Sequence, residues 1–484
     1  MFFLLALGTK EDIPLHLILL GLYLSLLRRR WRPGLVLTLV SAAWFYAAVF
    51  LVIPAARPDA SHSAYLGFFT QLGNTPLEIL LSPLRVPDKV LTLLVTPDTL
   101  RGIGMVTLPL ALTPLAGLPF LAMAAPTLGI ALLSSNSMMH KLETYHYAAP
   151  AIPFVMLAVV DGAARLSGWL ARLEPRAPRL RLMHLLVVTI IVASLVYHYY
   201  RGYSPLARPF RWPAVTEHDR LGSALAASIP AEAPVVAQAE LAPLLARRPY
   251  LRVWSGPFDE RAEYYVLDVS HPAFTNRDGA QERLVADIAY EPAVGVVASQ
   301  DGYLVLKQGA PRAPIMPEFF SFILAAAVPA SAAPVNATFA EMLELCGVET
   351  GRLATDREAE PLVTLHWRVL QDPHEDFFIA IFLLDDHNAP VGATLVQQPA
   401  TVWWPTARWK AGDTIRMLAN TFPWWTGDRS TFSYGVAVVS RSDPWDVAAR
   451  LPVVRTDGGT PPVDDGTVLP LVTFRRIAGI PYAE

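Results

Sequence analysis

Two short charged runs hold most of the residues in the first half of this sequence that could do chemistry. Lys10, Glu11 and Asp12 stand together at the edge of an apolar stretch; His140, Lys141, Glu143, Tyr145, His146 and Tyr147 stand between two others. Ionisable groups at such a boundary are costly unless they are paired or functional. Set on one face of a membrane, the two runs could jointly hold an anionic head group, with lysine and histidine as donors. Glu11 or Asp12 could then bind a divalent metal or take a proton from a hydroxyl. An ordinary charged loop and a belt of interfacial tyrosines use the same residue types, so both readings stay open at this level.

The second half offers a different set. Trp403, Trp404, Trp409, Trp424 and Trp425 cluster between strand-like runs. Such tryptophans are core residues or, for Trp403, Trp404, Trp424 and Trp425, platforms on which sugar rings stack. Asp385-Asp386-His387-Asn388 has the look of a metal cluster, but it falls between two strand-like runs and reads as turn chemistry, so no metal ligands are assigned. Gly102-Ile103-Gly104 lacks a third glycine. No hydrolase triad, zinc helix or phosphate loop is present in the sequence. The single cysteine, Cys346, excludes an internal disulfide framework and a cysteine-rich metal site; it reads as a small buried hydrophobe.

The elements that must position these residues fall into two materials joined near Arg201. The whole chain is 53% hydrophobic and 17% charged, too apolar for a soluble enzyme, and its net charge of -3 gives no basic face for nucleic acid. Residues 1–204 read as a membrane domain of about six spans. Stretches 34–54, 144–160 and 182–200 are long enough to cross, 13–27 is short, and 102–140, free of Asp, Glu, Lys and Arg, fits a helical hairpin. Apolar pieces within 55–101 read as surface or re-entrant helices. Arg28, Arg29, Arg30 and Arg32 form one basic cluster, and Arg165, Arg172, Arg176, Arg179 and Arg181 another. Both belong in the cytoplasm by the positive-inside rule. Residues 10–12, 55–101, 140–147 and everything after Arg201 then lie outside a plasma membrane.

Residues 205–310 read as a small α/β domain, with strands at 235–237, 251–254 and 264–268, a helix over 217–229, and a hairpin turned at Asp301-Gly302. Residues 311–335 read as a linker or a packed edge, and 336–484 as a β-sandwich.

The charged runs also carry a resemblance. Lys10-Glu11-Asp12 before an apolar helix, the Arg28 to Arg30 stop, Trp44-Phe45, and Ser134-Ser135-Asn136 leading to Tyr145-His146-Tyr147-Ala148-Ala149-Pro150 resemble a bacterial and archaeal membrane family. It is catalogued as domain of unknown function 2079. The next segment is similar to it through Val236-Ala237-Gln238, Leu244-Leu245-Ala246-Arg247-Arg248 and Tyr264-Tyr265-Val266-Leu267-Asp268, so the resemblance covers about residues 1–310. That family is grouped with the C-type (GT-C) glycosyltransferases. The resemblance implies transfer of a sugar from a polyprenyl-phosphate donor on the outer face, a carboxylate as base, and often a divalent metal on the phosphate. The family's early Asp-Gln and His-x-x-Pro-like motifs are not in this sequence, so no catalytic residue is carried over. Met1 to Gly8 reads as the last turns of a helix that starts earlier, and the chain as a carboxy-terminal portion. The sandwich is similar, through Leu365-His366-Trp367-Arg368 and Trp409-Lys410-Ala411-Gly412-Asp413, to domains appended to membrane glycosyltransferases of some filamentous bacteria. The alternative function is a non-catalytic anchor presenting outer domains to a surface glycan or partner. A transporter is less supported, because the span interiors are nearly free of charge.

Overall fold

The computed structural model describes residues 2–56, 67–142, 146–173, 178–212, 214–254, 259–270, 284–285, 294–311, 313–351, 361–395, 397–419, 429–440, 443–477 and 480–484. The chain divides into two units, Met1–Arg211 and Trp212–Glu484.

The first unit is helical. A short α1 (Phe2–Leu7) precedes α2 (Ile13–Leu26) and α3 (Trp31–Ala47), which runs on as a π-helical turn, Ala48–Val52. The arginine cluster makes the reversal between α2 and α3: Arg29 takes a left-handed φ of 53°, and Arg28 donates to the Tyr23 hydroxyl at 2.9 Å. Glycines set the closeness of the pair. A Cβ on Gly21 would stand 2.7 Å from the Gly34 carbonyl oxygen, and one on Gly34 would stand 2.6 Å from that of Gly21. Without a hydrophobic drive between helices in lipid, such small-residue contact is what lets them pack.

The uncharged stretch 102–140 is not one continuous helix. Helix α4 (Pro97–Thr107) leads into two 3₁₀ turns around Ala111 and Leu112, both left-handed, and then into α5 (Leu118–Leu132). The break frees backbone groups, and the Pro109 carbonyl is met by the Ser194 hydroxyl at 2.5 Å from α7 (Arg179–Arg201). Helix α6 (Ile152–Leu173) brings Gly162 against the Thr113 carbonyl, where a Cβ would not fit. The apolar pieces of 76–95 form three short helices, Pro76–Leu80, Ser82–Arg85 and Pro87–Leu94.

Among the described residues three helical stretches are long and apolar enough to cross a membrane, Trp31–Ala55, His146–Leu173 and Arg179–Arg201, against the six crossings expected. Helices α2 and α5 are apolar but have 14 and 15 residues. At ~1.5 Å per residue they reach roughly 21–23 Å, short of a core of about 30 Å. Helix α7 has no buried residue in the chain and turns Leu185, Ile191 and Leu195 outward, a surface that lipid satisfies and water does not.

The second unit is strand-rich, in three sheets. Helix α8 (Glu217–Ser228) is closed at its start by a capping box between Thr216 and Asp219. Strands β1 (Val235–Ala237), β2 (Leu251–Val253) and β3 (Tyr264–Asp268) run parallel, and β4 (Val294–Gln300) and β5 (Tyr303–Gln308) complete the order β2-β1-β3-β5-β4. The β4–β5 turn is where expected: Asp301 and Gly302 both have positive φ, 46° and 80°, the conformation that matches the twist of a two-residue hairpin.

Residues 317–325 pack as an edge. Phe319 is fully buried and meets Trp403 edge-on at 5.0 Å, and β6 (Leu324–Ala325) pairs with β12 (Thr414–Ala419). With strands β7 (Ala333–Phe339), β11 (Pro390–Ala393), β14 (Val453–Arg455) and β16 (Ile480–Ala483), the sandwich sets the sheet β14-β7-β8-β9-β12-β6 against β11-β10-β13-β15-β16. Its long central strands are β8 (Leu343–Gly351), β9 (Leu362–Val369), β10 (Phe378–Leu384), β13 (Thr431–Val439) and β15 (Leu469–Ile477). Trp367, Trp409, Phe377, Phe432, Tyr434 and Phe474 fill the space between, in one core continuous with Leu267 and Leu306 of the α/β sheet.

Candidate functional site

Asp12 is the residue that precedes the first turn of α2, the place from which a carboxylate ordinarily caps a helix. It makes no capping bond, and Pro14 removes one of the N–H groups it would cap. Its Oδ2 instead accepts from Lys10 Nζ at 3.2 Å and faces Thr127 Oγ1 of α5 at 3.1 Å. Thr127 Oγ1 also lies 2.7 Å from His16 Nε2, and His16 Nδ1 donates to the Met123 carbonyl at 2.6 Å. The imidazole is fully buried and stacks on Phe154 of α6, centroids 5.1 Å apart and planes 11° from parallel. Helices α2 and α5 therefore share one polar line, Lys10–Asp12–Thr127–His16–Met123, against which α6 sets Phe154. Asp12 itself is 8% exposed, and its Oδ1 is buried without a hydrogen-bond partner among the described residues.

Of the expected residues, the structure brings Lys10 and Asp12 together and leaves Glu11 exposed. Among the described residues none of the Asp12 partners comes from 140–147. His140 Nε2 donates to the Ser134 carbonyl at 3.0 Å, and its Nδ1 is buried without a partner among the described residues. Lys141 is half-buried, and His146 is exposed with its ring 5.1 Å from that of Tyr147. Glu143 and Tyr145 lie outside the described residues. Sequence reasoning missed His16 and Thr127. The one available signal for His16 was a histidine four residues after an aspartate, one helical turn into an apolar run.

A second polar cluster stands at the carboxyl end of β3, the edge where open α/β sheets hold ligands. His218 at the start of α8 lies between two carboxylates, Nδ1 at 2.7 Å from Asp301 Oδ2 and Nε2 at 3.0 Å from Asp268 Oδ2. The ring stacks on Tyr303 at 4.4 Å. Ser270 Oγ donates to Asp268 Oδ1 at 2.6 Å and is 3.3 Å from Nε2. Burial alone would lower the His218 pKa; the bonds to Asp268 and Asp301 outweigh it and carry it to about 9. At neutral pH the ring is therefore an imidazolium with both N–H groups committed. It cannot take a proton from Ser270, so the likeness to a serine hydrolase triad ends at geometry.

The tryptophans divide. Trp403 is 5% exposed against Phe319, which leaves no open ring face for a sugar, and Trp409 is fully buried with its Nε1 donating to the Trp404 carbonyl at 2.9 Å. Trp404 is half-buried, tilted on Phe320 at 4.8 Å with the Arg408 guanidinium 5.5 Å from its ring. Trp424 and Trp425 lie outside the described residues. Asp385, Asp386 and His387 do approach one another closely enough to surround a cation. Asp385 Oδ1, however, already accepts the His387 and Ala389 N–H groups at 2.9 and 2.8 Å, the bonding of a turn.

The helical unit and the α/β sheet together are what the comparison with known families recognises. The family model described as predicted membrane protein (DUF2079) matches residues 1–305, up to strand β5 and short of the sandwich. No curated protein and no solved structure matches the chain. With the matched span covering both polar clusters and the apolar helices between them, the chain belongs to the DUF2079 family of predicted membrane proteins.

Proposed function

We propose that this chain is a membrane glycosyltransferase-like protein of the C type, taking a sugar from a polyprenyl-phosphate donor at the outer face of the plasma membrane. Helix α2 and the α4–α5 pair, together with the three longer helices, supply six crossings in this reading, and the strand-rich unit lies outside the cell. The observation that carries it is Asp12: a buried carboxylate at the end of an apolar helix, with Oδ1 unpartnered among the described residues and the Lys10 ammonium 3.2 Å from Oδ2. Lys10 has three donors; one is on Asp12, and the others can meet a phosphate oxygen. Asp12 Oδ1 takes the proton of the acceptor hydroxyl while that oxygen bonds to the anomeric carbon and polyprenyl phosphate leaves. The phosphate charge is assigned to Lys10, whose ammonium already stands at the carboxylate.

The test uses membranes containing the protein, a polyprenyl-phosphate sugar and an acceptor. Asp12→Asn should lower transfer by ~10²–10⁴-fold, the scale of a lost general base, and Lys10→Ala should weaken use of the donor, both at unchanged protein abundance. Transfer that survives both substitutions would remove Asp12 and Lys10 from the reaction.

A further inference from the structure

The hydrogen bonds around Thr127 can be satisfied by more than one placement of the protons. Its hydroxyl has one hydrogen, yet Oγ1 is within bonding distance of two groups, Asp12 Oδ2 at 3.1 Å and His16 Nε2 at 2.7 Å. The other end of the line is fixed: His16 Nδ1 faces a carbonyl, which can only accept, so Nδ1 carries a hydrogen throughout. With one further proton on the line, every contact is satisfied in two ways. In the first, Asp12 is a neutral acid, its Oδ2–H donates to Thr127, and Thr127 donates to a neutral His16. In the second, Asp12 is a carboxylate accepting from Thr127, and Thr127 accepts from the Nε2–H of an imidazolium. The two differ in hydrogen positions alone.

We propose that Asp12, Thr127 and His16 form a one-proton relay inside the membrane unit, with Asp12 as its mouth and His16 as its store. It takes the proton of a hydroxyl, from an alcohol or from water, and holds it away from the point of entry. The donor O–H bond breaks as an O–H bond forms on the Asp12 carboxyl, and a half-turn of that group brings the new hydrogen to Thr127. The Asp12 O–H then breaks as a new Thr127 O–H forms, and the former Thr127 hydrogen becomes the Nε2–H of His16. One proton enters and none leaves. The carboxylate is restored, paired with an imidazolium through a single hydroxyl.

The surroundings isolate the ring, and its burial makes a charge there costly unless it is paired and bonded. His16 is fully buried, and Met123, Thr127 and Phe154, which pack on it from α5 and α6, carry no charge. The charges that act on it are Asp12 and Lys10, from its own end of the chain, while Glu11 is exposed. An ion pair kept in so apolar a place needs each member hydrogen-bonded; both His16 nitrogens are, and on the carboxylate Oδ2 is bonded while Oδ1 is the atom left for the incoming hydroxyl. The relay deepens the reading of Asp12 as a base without depending on any sugar donor.

Nitrogen-15 NMR of His16 in the complete protein in lipid tests it without an activity assay. Along a pH series, the wild-type Nε2 resonance should move between its bare and hydrogen-bearing positions as Asp12 changes charge, with Nδ1 hydrogen-bearing throughout. Asp12→Asn should hold Nε2 in the bare form across the range where the wild type moves, and Thr127→Val should cut the response to Asp12. Thr127→Ser, which keeps a hydroxyl and tolerates any failure of the valine variant to fold, should retain it. A Nε2 signal indifferent to Asp12→Asn, or a full response in Thr127→Val, would overturn the relay. Loss of sugar transfer with the NMR coupling intact would count against the proposed reaction and leave the relay standing.

Discussion

Raising the pH should loosen the α/β sheet at one place, the His218 clamp. Its pKa stands at about 9 in the fold against 6.5 for a free histidine. A histidine held above its unfolded value contributes stability that is complete below pH 6.5 and is lost as the pH rises through 9. At ~1.4 kcal/mol per pKa unit the rise corresponds to about 3 kcal/mol. The side chain is 28% exposed, and solvent screening brings the expected effect nearer ~2 kcal/mol. The groups that face the ring are Asp268 from β3, Asp301 from the β4–β5 turn, Tyr303 stacked from β5, and Ser270; Arg416 acts on Asp301. Hydrogen exchange read by mass spectrometry, corrected for the intrinsic pH dependence of exchange, gives the opening free energy of α8 and the β4–β5 hairpin in the intact protein. It should fall by ~2 kcal/mol between pH 6 and pH 10, and His218→Gln should remove the pH dependence. A wild-type opening energy constant across that range, or an equal slope in His218→Gln, would refute the clamp.

Other substitutions probe the packing. Gly21→Leu should separate α2 from α3, because its first side-chain carbon already meets the Gly34 carbonyl; a lower melting temperature in detergent, on the scale of 1–3 kcal/mol for overpacking, checks it. Trp409→Ala should cost about 3–5 kcal/mol of sandwich stability as a fully buried ring is lost, whereas Trp212→Ala, 77% exposed, should cost little; urea midpoints compare the two. Trp403→Ala should likewise lower that midpoint, and any glycan retained by the protein on an array should stay bound to the variant that remains folded.

What the sequence disclosed and what it hid follow from how far apart the interacting residues lie. The β4–β5 hairpin was legible because Asp301-Gly302 carries its own turn conformation. Strands β1 and β3 were legible for a similar reason, as apolar runs that a sheet buries. Strands β7 and β8 escaped, since Pro334 and the register shifts after it and after Leu345 blur their alternation. In the helical unit composition marks 102–140 as apolar, but the left-handed pair Ala111 and Leu112 divides it into helices shorter than a span. At the site, Lys10 and Asp12 were visible as charges at an apolar edge. His16 was not, because its partner Thr127 lies 111 residues away and a threonine in an apolar helix carries no signal of its own. The His218 cluster was hidden likewise, with Asp268 and Asp301 50 and 83 residues along the chain.

The most direct test of the Lys10–Asp12 site is the affinity of the complete protein, in nanodiscs, for a polyprenyl phosphate. Losing a charge-assisted bond worth about 1.5–3 kcal/mol should weaken binding by roughly 10- to 100-fold in Lys10→Ala, with Lys141→Ala as a comparison that leaves the Lys10–Asp12 pair in place. Equal affinity in wild type and Lys10→Ala would contradict the assignment of the lipid phosphate to this end of α2.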